Sequence, residues 1–427
     1  MKKSLVIGGG FAGLSAAVYL SNKNHSVTLF ESSPKLGGRA YSLLNPETGS
    51  YYDNGQHIMM GCYKETLAFL SLINACHLLE KPDSLSITFV KKRGGIYKLS
   101  ASSHYYPFNL LKALLNFRAL RFKSRIKIID LFLDLVCCYS CDLKGKTIKE
   151  WLLDKRQTDE AIRDFWGIIA IGALNTGIER ASAPIFASIL KRIFFDGTES
   201  SAIILAKSGL SELYVNPSLD YLNVKGAEVK LSERVIRFHT EQNKITKVIT
   251  NRATYDNFDF IISAVPAYSL RQILQSSSIE NVRIPELEYS SILNVHLWLS
   301  ENPFSEPFYG FLDGEIHWLF NHGSHISLTI SGADRFNDLT EEKILETIYS
   351  DLEIFFAIFK SSLVIDYKII KEKRATFIPD MKSIELRNTI KSEINNLILA
   401  GDWTNTELPS TIESAVLSGR IAADSVD

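Results

Sequence analysis

The sequence predicts an α/β protein: a Rossmann-like domain assembled from separated segments, with an α+β domain inserted between them. Three observations predict it. A strand, a glycine-rich turn, a helix and a second strand follow one another within the first 31 residues. A strand, a Gly-Asp turn and a helix close the chain. A meander of short strands lies between these two ends.

Ser4-Leu5-Val6-Ile7 reads as a short buried parallel strand. It runs into Gly8-Gly9-Gly10-Phe11-Ala12-Gly13, and Leu14 to Leu20 reads as a helix rich in small residues. Ser26-Val27-Thr28-Leu29-Phe30-Glu31 is a second strand ending on an acid, 18 residues after Gly13. In this order Gly-x-Gly-x-x-Gly is a dinucleotide-binding fingerprint. Gly8 allows the tight turn. Gly10 lets a pyrophosphate approach the backbone at the positive end of the helix, with Ala12 in the same turn. Gly13 lets helix and strand pack closely, and Glu31 accepts hydrogen bonds from ribose hydroxyls.

Gly226 to Leu231, Val235 to Phe238, Lys244 to Asn251 and Asp259 to Ala264 read as strands. Asn396 to Ala400 reads as the last strand, followed by the turn Gly401-Asp402-Trp403-Thr404. A helix is expected to open at Pro409, a residue suited to a first helical turn. The dinucleotide domain is thus expected to comprise residues 1–75, 206–270 and 391–427, and the inserted substrate domain residues 76–205 and 271–390. Only one complete fingerprint occurs, so no separate nicotinamide-dinucleotide domain is expected.

Of the 427 residues, 46% are hydrophobic and 22% charged, with a net charge of −1, as in an ordinary soluble protein and without a global signal for nucleic acid. Five cysteines without a regular spacing fit a reducing compartment. The apolar run after Met1-Lys2-Lys3 ends at Gly8, too early for a signal peptide, and no stretch is long and apolar enough to span a bilayer. The expectation is a cytoplasmic protein, with any membrane contact peripheral, on the inner face. Cys137, Cys138 and Cys141 sit in an apolar helical pattern and read as buried thiols. His317, His322 and His325 read as loop or core histidines, so no metal site is expected. No Gly-x-Ser-x-Gly element supports hydrolase chemistry.

Residues 85–128 stand apart. They carry ten basic residues and no acid, so with the chain at −1 the remainder carries −11. Tyr105, Tyr106, Phe108, Phe117, Phe122 and several leucines are interleaved with these charges. Basic and apolar residues together compose an interfacial segment for anionic lipid, and the alternative is a solvated helix face paired with acids elsewhere.

Ser32 to Ala40 contains Gly37-Gly38-Arg39 just after the acid. It resembles the signature of the flavin amine oxidase and carotenoid desaturase superfamily, and so does the closing strand–Gly-Asp–helix segment. The resemblance implies an amine-oxidase-like fold and FAD. It assigns backbone contact to Gly37 and Gly38 and phosphate or ribose contact to Arg39. It places Val235 against the adenine, Gly401 and Asp402 at the ribityl–phosphate region, and Ile412 and Glu413 facing the flavin. The most specific block, Asp53-Asn54-Gly55-Gln56-His57-Ile58-Met59-Met60-Gly61-Cys62-Tyr63, resembles the hydroxysqualene dehydroxylase family. Ala173 to Thr176, Glu179 to Ala183, Trp318 to Phe320, Glu372 to Phe377 and Leu399 to Thr404 fit it in the same order, whereas 85–128 has no counterpart.

That resemblance implies reductive removal of an allylic hydroxyl from a C30 polyprenyl alcohol, with hydride from reduced FAD and an external reductant of unknown identity. It puts Gly55, Gln56 and His57 beside the flavin, and it makes Asp53 and His57, with Tyr63 behind them, the candidates for proton transfer to the departing hydroxyl. The alternatives are an oxidative desaturase or amine oxidase on the same fold, or a non-catalytic flavoprotein that carries polyprenyl intermediates.

Overall fold

The computed structural model describes residues 1–93, 95–102, 104–137 and 143–426. Its nucleus is a five-stranded parallel sheet in the order Glu228–Lys230, Ser26–Phe30, Lys3–Ile7, Phe260–Ser263, Leu397–Leu399. Val6 pairs with Leu29 on one side and Ile262 on the other. Leu5, Val6 and Ile7 are all buried, as a central parallel strand covered on both faces requires.

The helix Phe11–Asn22 starts earlier and ends later than its apolar pattern predicts. It packs against the last helix, Ile412–Asp424, so closely that a Cβ on Gly419 would lie 2.2 Å from the Ala12 carbonyl oxygen. That last helix does not open at Pro409. It begins at Ile412, because Thr411 caps it by accepting a hydrogen bond from the Ser414 N–H, leaving Pro409 in the approach turn. The expected meander is an antiparallel sheet of Val235–Glu241, Lys244–Thr250 and Thr254–Asp256.

A second, seven-stranded sheet runs in the order Val364–Phe377, Tyr289–Leu299, His325–Ser331, Trp318–Asn321, Phe308–Leu312, Ser86–Lys91, Gly95–Ser100. Alternation sets its two faces. Leu293, Val295 and Leu297 enter an apolar core with Ile344, Ile348 and Leu352 of the helix Glu341–Phe355. Ile292 and Asn294 face the opposite way and line a cavity. Helices between Phe108 and Phe194 add a third core around Trp151, Trp166 and Phe186.

All strands of the parallel sheet lie in 1–75, 206–270 and 391–427, and all strands of the seven-stranded sheet lie in 76–205 and 271–390. The crossing points are less tidy. Ile203–Ala206 pairs with both Met59–Met60 and Leu79–Glu80. Leu79 and Ile204 are buried in the core of the first domain, because its apolar side extends past the parallel sheet.

Of the cysteine cluster, the Cys137 side chain and the whole of Cys138 and Cys141 lie outside the described residues. Cys62 is a buried free thiol and Cys76 an exposed one. Among the described residues no helix is long and apolar enough to cross a membrane, and no group of His, Cys, Asp or Glu is arranged to hold a metal.

Candidate active site

The C-terminal ends of the parallel strands open into a cavity of about 840 Å³ that extends under the seven-stranded sheet. Gly8, Gly10 and Ala12 line it at one end. The helix behind them starts at Phe11, with Gly10 as an N-cap that offers no side-chain cap and with no acid in its first turn. Its free N–H groups and positive end are therefore left for an anionic ligand. Gly10 has an ordinary negative φ, and a Cβ there would make only ordinary contacts, the nearest being the Gly38 Cα at 3.6 Å and the Gly37 carbonyl oxygen at 3.9 Å. Nothing in the chain requires glycine at this position; the space it keeps clear is that of a ligand. Gly13 differs. It does not line the cavity, and a Cβ there would lie 1.8 Å from the Gly8 oxygen, so it serves helix–strand packing.

Glu31 lines the same end and also holds the loop together. Its Oε2 accepts from the Gly9 N–H at 2.7 Å, and its Oε1 from the Ser33 N–H at 2.7 Å. Val235 lines the cavity beside Glu233, a buried acid that accepts from the Tyr255 hydroxyl at 3.2 Å.

Gly37, Gly38 and Arg39 cross the middle of the cavity. Arg39 donates to Asp402 at 2.5 Å and to the Ala375 carbonyl at 2.9 Å. Burial alone works to raise the Asp402 carboxyl; the Arg39 charge and its hydrogen bond outweigh it and hold the group below the ordinary carboxylate value. Burial likewise works against the Arg39 charge, and Asp402 more than restores it. Gly401 and Asp402 line the cavity. Tyr214, which no local pattern flags, sets the loop from below. Its hydroxyl donates between the carbonyls of Gly37 at 2.8 Å and Ala40 at 2.7 Å, and its ring stacks on Phe11 with centroids 3.6 Å apart.

Gly55, Gln56, His57, Tyr63 and Ile412 line the far end. Asn54 orients this stretch by donating to the Arg39 carbonyl at 2.8 Å and accepting from the Tyr41 N–H at 3.0 Å. Asn294 donates to the Asn54 carbonyl at 3.3 Å. The His57 Nδ1 donates to the Gly55 carbonyl at 2.8 Å, which leaves Nε2 as an acceptor. Burial lowers the His57 pKa, so the ring is neutral at neutral pH. Burial raises the Tyr63 phenol, which keeps its proton.

Besides Gly13, two expected site residues stand outside the cavity, Asp53 and Glu413. Asp53 accepts from the Ser42 hydroxyl at 2.7 Å and the Leu210 N–H at 2.9 Å, joining the hairpin Ser42–Leu44/Tyr51–Asp53 to the turn before Leu210. Burial pushes its carboxyl up to about 6. Glu413 turns away from the cavity lined by its neighbour Ile412. It accepts from the N–H groups of Glu65 at 3.0 Å and Thr66 at 2.9 Å, capping the helix Lys64–Leu72.

Part of the remaining wall is apolar, beside the polar Asn294, Thr329, Ser331 and Glu372. Ile58, Trp318 and Phe320 form that part, backed by Ile203 and Phe308. Asn175, Thr376 and Trp318 come from blocks far apart in sequence and meet here; Asn175 donates to the Thr376 hydroxyl at 2.9 Å. The site thus joins a long anion-ready groove, a proton-bearing phenol and an apolar chamber.

The chain belongs to the flavin containing amine oxidoreductase family, whose model matches residues 11–427. It is an oxidoreductase, and its cofactor is FAD, for which the groove at Gly10, Arg39 and Asp402 has the required backbone clearance and charges. A hydroxysqualene dehydroxylase of Zymomonas mobilis is 27% identical over 99% of both chains. A 15-cis-phytoene desaturase of Arabidopsis thaliana is 24% identical over 99% of this chain and 80% of its own. The fold is also that of an oxidoreductase from Methanosarcina mazei, with a TM-score of 0.75 at 17% identity over 99% of this chain and 100% of the other.

Proposed function

We propose that this protein reductively dehydroxylates hydroxysqualene to squalene. The observation that carries the reading is the similarity, over nearly the whole of both chains, to the Zymomonas mobilis hydroxysqualene dehydroxylase. The apolar chamber at the flavin end of the cavity is of a kind that suits a polyprenyl chain. Reduced FAD, when bound, supplies hydride. The substrate C–O bond would break, the hydroxyl would take a proton and leave as water, and the allylic carbon would gain the hydride.

The groove at Gly10, Arg39 and Asp402 would hold the FAD pyrophosphate and ribityl chain. Ile58, Trp318 and Phe320 would exclude water from the reacting carbon. Of the three candidates for proton transfer, Tyr63 alone both lines the cavity and retains a proton to donate. Neutral His57 would accept a hydrogen bond at Nε2 and so orient the departing hydroxyl. An external donor must return electrons to the flavin. Because the substrate is insoluble in water, the protein would work as a peripheral enzyme at the inner face of the cell membrane.

Anaerobic incubation of the holoprotein with reduced FAD and hydroxysqualene tests this, with product identification by mass. Squalene is the expected product. Unchanged hydroxysqualene overturns the reading. The second reading, oxidative desaturation of a polyprenyl hydrocarbon, is favoured by the similarity to the phytoene desaturase; it requires oxidised FAD and yields a new double bond.

A further inference from the structure

We propose that the helix Phe108–Asn116 and the start of the helix Phe122–Cys137 form a docking surface for an anionic lipid bilayer. The first helix is apolar on two faces. Leu110, Ala113 and Leu114 are buried against the helical core. On the outer side Phe108 is 69% exposed, and Leu111 and Leu115 are each 36% exposed. Their spacing of three and four residues puts them on one stripe. A surface helix in water presents polar residues outward, and a helix apolar on both sides belongs between a protein core and a second apolar phase. Phe122 extends the exposed apolar surface at 63%, and Leu133 and Val136 continue its helical stripe.

Charge selects lipid over an apolar protein partner. Among the described residues no carboxylate stands within ion-pair distance of Lys112, Arg118, Arg121 or Lys123. The acids nearby are already engaged. Glu160 accepts from the Arg121 N–H at 3.0 Å and the Ser124 hydroxyl at 2.6 Å. Asp130 pairs with Lys127 at 3.1 Å, and Asp134 with Lys155 at 2.6 Å. The Arg125 guanidinium is held by the Leu115 carbonyl and lies 5.5 Å from the centre of the Phe122 ring, tying the two helices together. The result is a set of apolar anchors ringed by free cations, the composition that binds an anionic interface.

The surface also has an apolar connection to the chemistry. Phe117, just after the first helix, packs its ring 5.4 Å from Phe89. Phe89 lies 6.3 Å from Trp318, which lines the cavity. Gly310 leaves room for this contact, since a Cβ there would lie 2.6 Å from the Phe89 ring and 3.0 Å from Trp318. Delivery of substrate along this line rests on the reaction proposed above; docking itself does not.

The test uses FAD-loaded protein and sedimentation with vesicles of phosphatidylcholine alone or mixed with phosphatidylglycerol. Binding is expected to the mixed vesicles only and to weaken with salt. One variant combines Phe108→Ser, Leu111→Ser and Phe122→Ser. A second combines Lys112→Glu, Arg118→Glu and Lys123→Glu. Each should lower the partition coefficient by about tenfold or more. Lys244→Glu with Lys247→Glu, in the meander, is the control and should change it little. Flavin content reports folding, since none of these residues lines the cavity. Mixed-vesicle binding that survives either triple variant, or that falls equally in the control, overturns the proposal. Turnover of detergent-dispersed hydroxysqualene is a separate readout: its absence in wild type overturns the reaction and leaves docking standing.

Discussion

Arg39 and Asp402 meet at 2.5 Å across the middle of the cofactor groove, although 363 residues separate them in the chain. The pair closes the dinucleotide domain on itself, and Asp402 is pinned from its other side by the Ser410 hydroxyl. Arg39→Ala is expected to cost about 2 kcal/mol of stability. That is less than a fully buried pair would lose, because the arginine is 35% exposed toward the cavity. The Asp402 carboxyl is depressed in the folded state, so its contribution is full above the ordinary carboxylate pKa and is lost as pH falls through the folded value. Melting curves against pH check this: Asp402→Asn should be destabilised at neutral pH and converge on wild type in acid.

Gly10 and Gly13 should separate binding from folding. A Cβ on Gly10 has protein space and lacks only ligand space, whereas a Cβ on Gly13 strikes the Gly8 backbone. Gly10→Val is expected to leave the melting temperature of the apoprotein nearly unchanged and to lower flavin occupancy at least about tenfold. Gly13→Val should lower both. Glu31→Ala should act between them, since that carboxylate fastens the Gly9 loop as well as facing the cavity. Equal flavin content in wild type and Gly10→Val would remove the pyrophosphate assignment.

The flavin should be bound without a covalent link. No cysteine follows Cys141, so none stands in the Gly401–Thr404 segment where a thiol would reach the flavin. Acid precipitation is expected to release the yellow colour into the supernatant, and colour left on the denatured chain would contradict it.

The parts of the site that are local in sequence were legible there. The turn at Gly8 to Gly13, the acid at the strand end and the Gly401-Asp402 turn each reduce to a short pattern with one geometric meaning. Tyr214 was not legible, because its hydroxyl serves carbonyls 177 and 174 residues away, and a lone tyrosine in an apolar run looks like core. Glu413 was misplaced for a helical reason. Adjacent helix residues diverge by about 100°, so Ile412 and Glu413 cannot both face one ligand. The carboxylate turned instead to the free N–H groups of Glu65 and Thr66. Asp53 shares its block with His57, yet its carboxylate is held by Ser42 and Leu210 on the hairpin's other side.

That placement separates Asp53 from Tyr63 in kinetics. Asp53→Asn keeps an acceptor for Ser42 and Leu210, so turnover should stay within about threefold of wild type; an essential acid would instead lose about a hundredfold or more. Burial holds the Asp53 carboxyl near about 6, above its unfolded value. Its protonated form stabilises the fold, and that contribution is lost as pH rises through about 6; the asparagine variant should therefore gain stability relative to wild type above that pH. Tyr63→Phe should lower kcat by about a hundredfold with little change in flavin content. The reverse ranking of the two variants would return the acid role to Asp53.

His296 and His325 predict how the fold fails in acid. They are 1% and 4% exposed, on the same face of the seven-stranded sheet as the cavity-lining Asn294 and Thr329 but further along the strands. Their rings sit 5.9 Å apart, with His325 stacked between Trp298 at 5.1 Å and His322 at 4.6 Å. Burial, together with the neighbouring histidines, pushes both pKa values down to about 3. An unfolded histidine titrates near about 6.5, so over the interval between these values the unfolded chain binds the extra protons. The stability from the neutral rings is therefore complete above about pH 6.5 and falls by about 1.4 kcal/mol per pH unit for each histidine as pH drops toward the folded value. Aromatic packing need not change when one titration is removed: His325→Phe keeps a ring between Trp298 and His322 and takes away the proton site. Denaturant unfolding between about pH 6 and pH 4 should be shallower in this variant by about one histidine's slope. A variant that loses stability as steeply as wild type over that interval would show that His325 is not part of the acid-sensitive element.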